Sequence, residues 1–235
     1  MRKAVLSGSP SARRILSRDA THLGSRRLKR KEQQRAINTR VLILKAALSE
    51  FAQEGFEAAS IRNIAERSGL QHPLITYYFR TKVCLWRAVA QYVFAEIRAL
   101  WDQRAPAESD LAPIERVRAQ YQTFLRFTLE YPDFHHFVLR ENKPGNPRLA
   151  WLGKRYLKPT LDRFLPELRA AQKAGQLPMT DPVLLHYMLL GTISVLSSLA
   201  DEMRLVADIR AHDPGIVNEY WQLIETTVFK RPATS

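Results

Sequence analysis

Residues 60–79, with the sequence SIRNIAERSGLQHPLITYYF, decide the fold. Ser60 is a favourable N-cap, and Ile61, Ile64 and Ala65 are then expected on the inner face of a short helix. Gly69 ends this helix, because glycine takes the positive φ that a sharp inter-helix turn requires. A further short helix is expected from about residue 71 to residue 79. Two short helices joined through a glycine turn predict a helix-turn-helix.

Helical spacing continues on both sides of this motif. Before it, one apolar face carries Ile37, Val41, Leu44, Leu48 and Phe51, and Gly55 is expected as a left-handed C-terminal cap. After it, a long helix is expected to begin at Thr81. Later helices are expected over residues 113–130, 132–142 and 147–174, and after the Asp-Pro pairs at 181–182 and 213–214. Strand patterns are scarce, so the chain is predicted to be all-α with about nine helices.

The composition is that of a globular protein. The 235 residues are 46% hydrophobic and 25% charged, which excludes wholesale disorder. Cys84 is the single cysteine, so a disulfide-stapled secreted domain is excluded and a reducing cytoplasm is expected. No stretch has the pattern of a secretory signal peptide. The apolar stretch 183–200 is interrupted by His186 and four hydroxyl side chains, so no membrane span is predicted.

Positive charge is concentrated towards the N-terminus. Residues 1–32 carry ten Lys or Arg against two acidic residues, residues 33–101 carry nine against five, and the rest of the chain is nearly balanced. This asymmetry indicates that one end meets a polyanion. Residues 1–35 are interpreted as a basic flexible arm. A solvated tail, an arm that tracks DNA phosphates and an organellar transit peptide remain open as alternatives.

The second short helix offers side chains that can read DNA. The major groove admits one helix, whose N-terminal residues reach the base edges. Gln71 and His72 lie at that end, and Thr76 lies about one turn further on, where it can meet a thymine methyl group. Tyr77 can hydrogen-bond a phosphate. The alternatives are an ordinary exposed helix start for Gln71 and His72, and core packing for the aromatic residues at 77–79.

A family resemblance rests on residues 39–41, 46–47, 51 and 55–56, on IAERSGL (64–70) and on LITYYFRTK (74–82), followed by Leu85. These residues resemble the DNA-binding domain of the tetracycline-repressor (TetR) family over about residues 36–97. A weaker likeness runs from Gly175–Leu177 to Asp181–Pro182. Thr76 stands where many members carry tyrosine, so a phosphate contact there is lost or replaced by a base contact.

The resemblance implies an organisation and further DNA contacts. Residues 36–97 would form a helix-turn-helix DNA-binding domain, and residues 98–235 a helical ligand-binding and dimerisation domain. A phosphate-binding lysine is implied at Lys82, whose ammonium would otherwise oppose the dipole of the helix that begins there. Ser60 and Arg62 correspond to positions that contact the DNA backbone or a base in some relatives, and we expect a base contact from Arg62 and a phosphate contact from Ser60. Tyr78 is a further candidate for a phosphate contact. Ser60 acting only as a cap, and Tyr78 packing in the core, remain alternatives.

Several aromatic and polar residues between these regions are candidates to line a ligand cavity, although ordinary packing remains the alternative for each one. They are Trp101, Tyr121, Phe124, Phe134, His135, Arg140, Trp151, Arg155, Tyr156 and His186. His135 and His136 give only a weak metal pattern, because no third ligand stands at a suitable spacing. No metal and no cofactor are therefore expected.

The last two predicted helices are apolar on more than one face. They are either buried within their own subunit or part of a four-helix bundle made from two helices of each subunit, and the family resemblance implies the shared bundle. The expected interface residues are Tyr187, Leu190, Val195, Leu199, Tyr220, Trp221, Ile224 and Val228. A two-fold dimer would also suit a palindromic DNA site.

The leading hypothesis is a cytoplasmic, nucleoid-associated bacterial transcription regulator, most simply a repressor, that binds a DNA operator as a homodimer and is released by a small molecule. One alternative is a non-specific basic nucleic-acid-binding or architectural protein that binds through its arm. The other is an all-α enzyme, for which we find no Ser-His-Asp order, phosphate-binding glycine loop, HExxH or CxxC motif.

Overall fold

The computed structural model describes residues 10–106 and 110–229, with side chains from Arg30 onwards. The described residues contain helices and no strand, so the all-α prediction is confirmed. The helices are α1 (Pro10–Ala58), α2 (Ile61–Ser68), α3 (His72–Tyr78), α4 (Lys82–Arg104), α5 (Pro113–Glu130), α6 (Asp133–Leu139), α7 (Pro147–Leu152), α8 (Lys158–Lys173), α9 (Pro182–Ser198), α10 (Ala200–Ala207) and α11 (Pro214–Val228). A π-helical turn, Gly153–Leu157, lies between α7 and α8.

The chain divides into two compact units, residues 1–43 and residues 44–235. In the first unit, α1 begins at Pro10, well before the start that the apolar face predicts. Residues 26–36 are dominated by Arg, Lys, Leu and Gln, which are good helix formers, although isolated helices without tertiary packing are marginally stable. The flexibility of residues 1–35 stays a prediction, and residues 1–9 lie outside the described residues.

The second unit begins within α1, where Leu44, Leu48 and Phe51 are buried as the apolar spacing predicts. Gly55 interrupts the helix with φ 75° and ψ 170°. The predicted positive φ is therefore confirmed, but the residue takes an extended, glycine-specific conformation and not the left-handed helical one. Helix α1 thus ends in a sharp change of direction just before α2.

Helix α5 lies among α4, α8 and α9 and supplies many of the buried side chains of the second unit. The predicted helix over residues 147–174 is observed as α7, the π-helical turn and α8. Pro159 has no N–H to donate to the carbonyl four residues earlier, which agrees with the widened turn that precedes it. That turn holds Tyr156, whose ring stacks on Phe94 of α4 with a centroid separation of 4.5 Å.

The pattern in the sequence did not indicate α10, which follows α9 after a bend of 60°. Among the described residues, no single helix has the length and apolar composition of a membrane span. Helices α9 and α10 pass that test only as a bent pair, by length and composition.

Candidate nucleic-acid interface and internal cavity

The turn between α2 and α3 has the geometry that the sequence predicts. Gly69 adopts φ 66° and ψ 23°, the left-handed helical conformation. The N–H of Leu70 donates to the carbonyl of Ala65 at 3.0 Å, which closes the end of α2. Ile64, Ala65 and Ile75 are buried on the facing sides of the two helices. This packing fixes the angle at which α3 leaves the turn.

The outer face of α3 carries the predicted base-reading residues. Gln71, His72 and Thr76 are all exposed. Gln71 occupies the N-cap position without using its side chain as a cap, so the amide group is not bound to the helix backbone. Thr76 donates its hydroxyl to the carbonyl of His72 at 3.3 Å, which turns its methyl group away from that bond. The structure therefore places these three side chains on one accessible surface.

The aromatic residues at the end of α3 separate into exposed and buried side chains. Tyr77 is 81% exposed, whereas Phe79 is buried. Tyr78 is half-buried between them, with its ring edge-on to Tyr77 and tilted against Phe79. Phe79 therefore packs in the core, whereas the hydroxyl of Tyr77 is accessible to a phosphate.

Lys82 already has partners within the chain. Its ammonium donates to the carbonyls of Glu57 and Ala59, at 3.0 and 3.1 Å, and lies 4.9 Å from the centre of the Phe56 ring. These carbonyls at the end of α1 offset the unfavourable position of a cation in the first turn of α4. Compensation by an external phosphate is therefore not needed, and a phosphate contact by Lys82 would use the ammonium's remaining hydrogen.

Ser60 and Arg62 lie at the start of α2. The hydroxyl oxygen of Ser60 accepts the N–H of Arg62 at 3.2 Å, so Ser60 is an N-cap whose own hydroxyl hydrogen remains for another acceptor. Arg62 is exposed and forms an i,i+4 pair with Glu66 at 3.2 Å. Such an exposed pair is weak, so a phosphate or base can compete for the guanidinium.

Sequence reasoning missed the buried carboxylate that positions α2. Glu50 of α1 is completely buried and accepts from the N–H of Ser60, the amide of Asn63 and Nε of Arg67, each at 3.0 Å. These three donors all come from α2 or its cap. An acidic residue next to Phe51, within an otherwise apolar helix face, was the available signal.

A cavity of about 510 Å³ lies among α4, α5, α6, α7, α8 and α9. It brings together five of the predicted cavity residues: Trp101, Phe124, Phe134, His135 and His186. Sequence reasoning did not assign the remaining lining to the cavity. It includes aromatic residues such as Phe94 and Tyr187, and is otherwise mostly aliphatic or carries small polar groups without a distinctive pattern. The polar groups of this additional lining include the amide of Asn142 and the hydroxyl of Thr160.

The other five predicted cavity residues lie elsewhere. Tyr121 is behind the cavity wall, with its hydroxyl 2.7 Å from Nδ1 of His186. Trp151 packs against Trp86. Arg155 and Tyr156 line a separate surface groove of about 340 Å³, which also includes Arg98 and Asp102. The structure therefore does not bring these residues together into one cavity with His186.

Arg140, the last of the five, instead binds the end of α1. Its guanidinium donates to the carbonyl of Ala52 at 3.0 Å and to the carbonyl of Gln53. Arg148 lies 4.0 Å from the centre of the Phe56 ring and pairs with Glu57 at 3.2 Å. Helices α6 and α7, which contribute to the cavity wall, are thus attached to the segment that leads into α2.

Burial keeps both cavity histidines neutral near pH 7. Desolvation lowers the pKa of His186 to about 4. Desolvation, followed by the charge of His136, also lowers the pKa of His135. Among the residues that the structure describes, no group of three or more His, Cys, Asp or Glu is placed to hold a metal ion.

The predicted interface residues divide between surface and core. Tyr187 and Leu199 are exposed, and Leu190, Val195 and Tyr220 are half-buried. Trp221, Ile224 and Val228 are buried within the chain and present little surface to a partner. The side of α11 that carries these three residues faces the interior of the chain, where the ring of Trp221 contacts that of Phe229. The exposed apolar surface instead includes Leu184 and Met188 of α9 and Leu223 of α11.

The sequence and fold of this chain resemble those of known proteins. Residues 43–89 match the model of bacterial regulatory proteins of the tetR family. The chain is 25% identical over 191 residues to the HTH-type transcriptional regulator RutR of Escherichia coli (strain K12), which covers 80% of this chain and 87% of RutR. It is 30% identical over 110 residues to the HTH-type transcriptional repressor NicS of Pseudomonas putida, covering 46% and 50% of the two chains.

The fold is also shared with solved structures. The crystal structure of AibR in complex with isovaleryl coenzyme A and operator DNA has a TM-score of 0.65 at 15% identity, covering 81% of this chain and 98% of AibR. At that identity the likeness concerns the fold alone. The matched segment contains α2, the Gly69 turn and α3, whose helix-turn-helix geometry is described above. The helix-turn-helix of this chain, which lies within residues 43–89, is therefore that of the tetR family of bacterial regulatory proteins.

Proposed function

We propose that this protein is a homodimeric, ligand-responsive transcriptional repressor that inserts α3 into the major groove of a palindromic operator. One observation carries the proposal: Gln71, His72, Thr76 and Tyr77 are exposed on α3 while Ile75 anchors its opposite side in the core. A helix held in this way presents its amino-terminal side chains as a rigid surface.

The DNA contacts follow from the chemistry of that surface. Gln71 can pair with adenine through its amide, and His72, Thr76 and Arg62 are further base-reading candidates. Ser60, Tyr77, Tyr78 and Lys82 are assigned to phosphates, with Lys82 using the hydrogen that Glu57 and Ala59 leave free.

A dimer would present two copies of α3 to one duplex. Palindromic half-sites that lie about one DNA turn apart, roughly 34 Å, require a two-fold pair of recognition helices. The exposed apolar side chains Leu184, Met188 and Leu223 support association through α9 and α11. The dimer would therefore be built from the surface that a single chain leaves unpacked.

A small molecule would act through the cavity. His135 and Leu139 of α6 and Leu149 of α7 line it, while Arg140 and Arg148 connect those same segments to the end of α1. A ligand that moves α6 or α7 would therefore bias the orientation of α2 and α3. Such an effect requires different affinities for the DNA-binding and released conformers.

The relatives support regulation as the general function. RutR and NicS are named as transcriptional regulators, and NicS as a repressor. AibR was solved with operator DNA and isovaleryl coenzyme A. The proposal accordingly assigns no catalytic step to this protein.

The test is to sequence the genomic DNA fragments that the purified protein retains, and then to measure affinity for the recovered site. We expect a shared palindrome and an affinity at least about a thousandfold above that for random DNA of equal length at one salt concentration. Equal affinity for both DNAs would instead support a non-specific architectural protein that binds through the basic residues 1–32.

Gln71→Ala tests base reading directly. Loss of a bidentate base contact should lower the ratio of operator to random-DNA affinity by about tenfold or more, with little change in random-DNA affinity. Gln103→Ala is the matched control, because Gln103 is exposed at the other end of the 23-residue α4 from the helix-turn-helix. Fluorescence anisotropy with labelled duplexes measures both affinities, and an unchanged ratio for Gln71→Ala would contradict the assignment.

A further inference from the structure

The cavity contains no formal charge in its described lining. Its walls are aromatic and aliphatic, with the polar groups of His135, Asn142, Thr160, His186 and Ser194 among them. No Lys, Arg, Asp or Glu of the described residues lines it. A buried carboxylate or phosphate without a countercharge is strongly unfavourable, and so is a buried ammonium. The lining therefore selects against ionic ligands.

His186 offers one oriented hydrogen-bond donor to this space. The Tyr121 hydroxyl is fully buried, and within the described part of the chain its one hydrogen-bond partner is Nδ1 of His186, at 2.7 Å. The hydroxyl hydrogen must therefore point to Nδ1, because leaving it unpaired in the core would be costly. A neutral imidazole that accepts at Nδ1 carries its hydrogen on Nε2.

The Nε2–H group of His186 is left for a ligand. It has no partner among the described residues, and it is not sealed off between packed side chains. Burial lowers the pKa of the imidazole, so the ring stays neutral when an uncharged molecule occupies the cavity. Tyr121 thus acts as a positioning residue, since it fixes which ring nitrogen donates.

We propose that the effector of this protein is an uncharged, mainly apolar molecule whose hydrogen-bond acceptor, such as a carbonyl oxygen, meets Nε2–H of His186. A cavity of about 510 Å³ is in the range that holds drug-sized molecules. The aromatic walls supply the apolar contact area, and the imidazole supplies orientation. This inference rests on the proposed ligand-responsive function and specifies the class of ligand for that function.

Three probes of equal size and shape test the chemistry. They are 2-acetylnaphthalene, a neutral ketone; 2-naphthoate, in which an ionised oxygen replaces the methyl group; and 2-isopropenylnaphthalene, in which a methylene group replaces the carbonyl oxygen. Isothermal titration calorimetry on the full-length protein at pH 7.5 measures each affinity. We expect the ketone to bind at least about tenfold more tightly than the carboxylate, and about five- to tenfold more tightly than the alkene.

His186→Phe should abolish the advantage of the ketone over the alkene, because it removes the donor and keeps an aromatic ring. His186→Gln retains an N–H donor and should keep part of that advantage, which also guards against a folding defect in the phenylalanine variant. His212→Phe is the matched control, since His212 lies in an exposed turn. Thermal melting of each variant confirms that it is folded.

The inference is overturned if 2-naphthoate binds as tightly as the ketone, if none of the probes binds, or if His186→Phe leaves the ketone-to-alkene ratio unchanged. A separate anisotropy titration with the recovered operator, with and without the ketone, distinguishes failure of the proposed function from failure of the proposed ligand class. Ketone binding that does not alter operator affinity would support the ligand class and count against ligand-responsive regulation. Selective operator binding combined with tighter binding of the carboxylate would overturn the ligand class alone.

Discussion

At the scale of single residues, the surroundings of a side chain decide its chemical state. His186 is buried against Tyr121 of α5, shares its cavity with His135 of α6, and has Tyr187 beside it on α9. Burial raises the pKa of Tyr121 and lowers that of His135, so both are neutral near pH 7, and burial lowers the pKa of His186 to about 4. The surroundings of Lys82 supply its hydrogen-bond partners. Carbonyls at the end of α1 accept from its ammonium, which the dipole of its own helix disfavours.

The low pKa of His186 predicts acid sensitivity. Above the ordinary histidine pKa of about 6.5 the group is neutral in both folded and unfolded chains and contributes no pH dependence. Between about pH 6.5 and 4 the unfolded chain binds a proton that the folded chain does not, so the free energy of unfolding falls as the pH falls. His186 should account for about 2–3 kcal/mol of that loss by pH 4.5.

Urea denaturation at pH 7.5 and pH 4.5 measures the effect. His186→Phe should reduce the difference between the two pH values by that amount, whereas His212→Phe should leave it unchanged. His135, whose pKa is also lowered, should keep some pH dependence in both variants. An equal pH difference in wild-type protein and His186→Phe would contradict the prediction.

At the scale of elements, charged groups orient the helix-turn-helix. Glu50 accepts three hydrogen bonds from α2 and its cap, and Arg140 and Arg148 bind the adjoining end of α1. Helix α2 has eight residues and α3 has seven, so neither is stable alone. Their placement therefore depends on these contacts and on the buried side chains between them.

Glu50→Gln should lower the free energy of unfolding by about 2–4 kcal/mol, because an amide hydrogen would face donors that now share a carboxylate. It should also weaken DNA binding, since α2 and α3 would lose their fixed orientation. Urea denaturation and hydrogen exchange of the amides in residues 60–79 measure the two effects. Glu54→Gln is the matched control on an exposed position of the same helix, and similar behaviour of the two variants would argue against a positioning role for Glu50.

At the scale of the whole molecule, the proposed dimer explains an apolar surface that one chain does not cover. Leu184 and Met188 of α9 and Leu223 of α11 are exposed. Exposed apolar side chains are typical of an interaction site where they lie together on the surface of a soluble protein. Association through this surface would place two copies of α3 on one duplex.

Met188→Glu should weaken the dimer by about 30-fold or more, because a carboxylate would be buried without a partner in the interface. Operator affinity should fall with it, since one recognition helix reads only half of a palindrome. Light scattering coupled to gel filtration, at several protein concentrations, measures the oligomeric state. Met179→Glu is the control on an exposed turn outside α9 and α11; a Met188→Glu protein that remains dimeric would exclude this interface.

The parts of the fold that were predicted correctly depend on neighbours close in the chain. The Ser60 cap, the left-handed Gly69 and the buried Ile64 and Ile75 follow from residue preferences and helical spacing. The inward rotation of Trp221, Ile224 and Val228 could not be predicted, because α11 is apolar over a wide stripe and its sequence pattern does not show which side packs inside. Arg140 had a suitable chemistry for a ligand but folds onto α1 instead.

The sequence by itself determined the all-α class, the helix-turn-helix and the exposed side chains of its second helix, because caps, glycine turns and apolar periodicity act over a few neighbouring residues. Only the tertiary structure decided the partners of Lys82, Glu50 and Arg140, and the pairing of Tyr121 with His186. Those pairs lie between 10 and 88 residues apart in the chain. Packing of the whole core brings these paired groups into contact, and no local sequence pattern indicates which distant groups will form a pair.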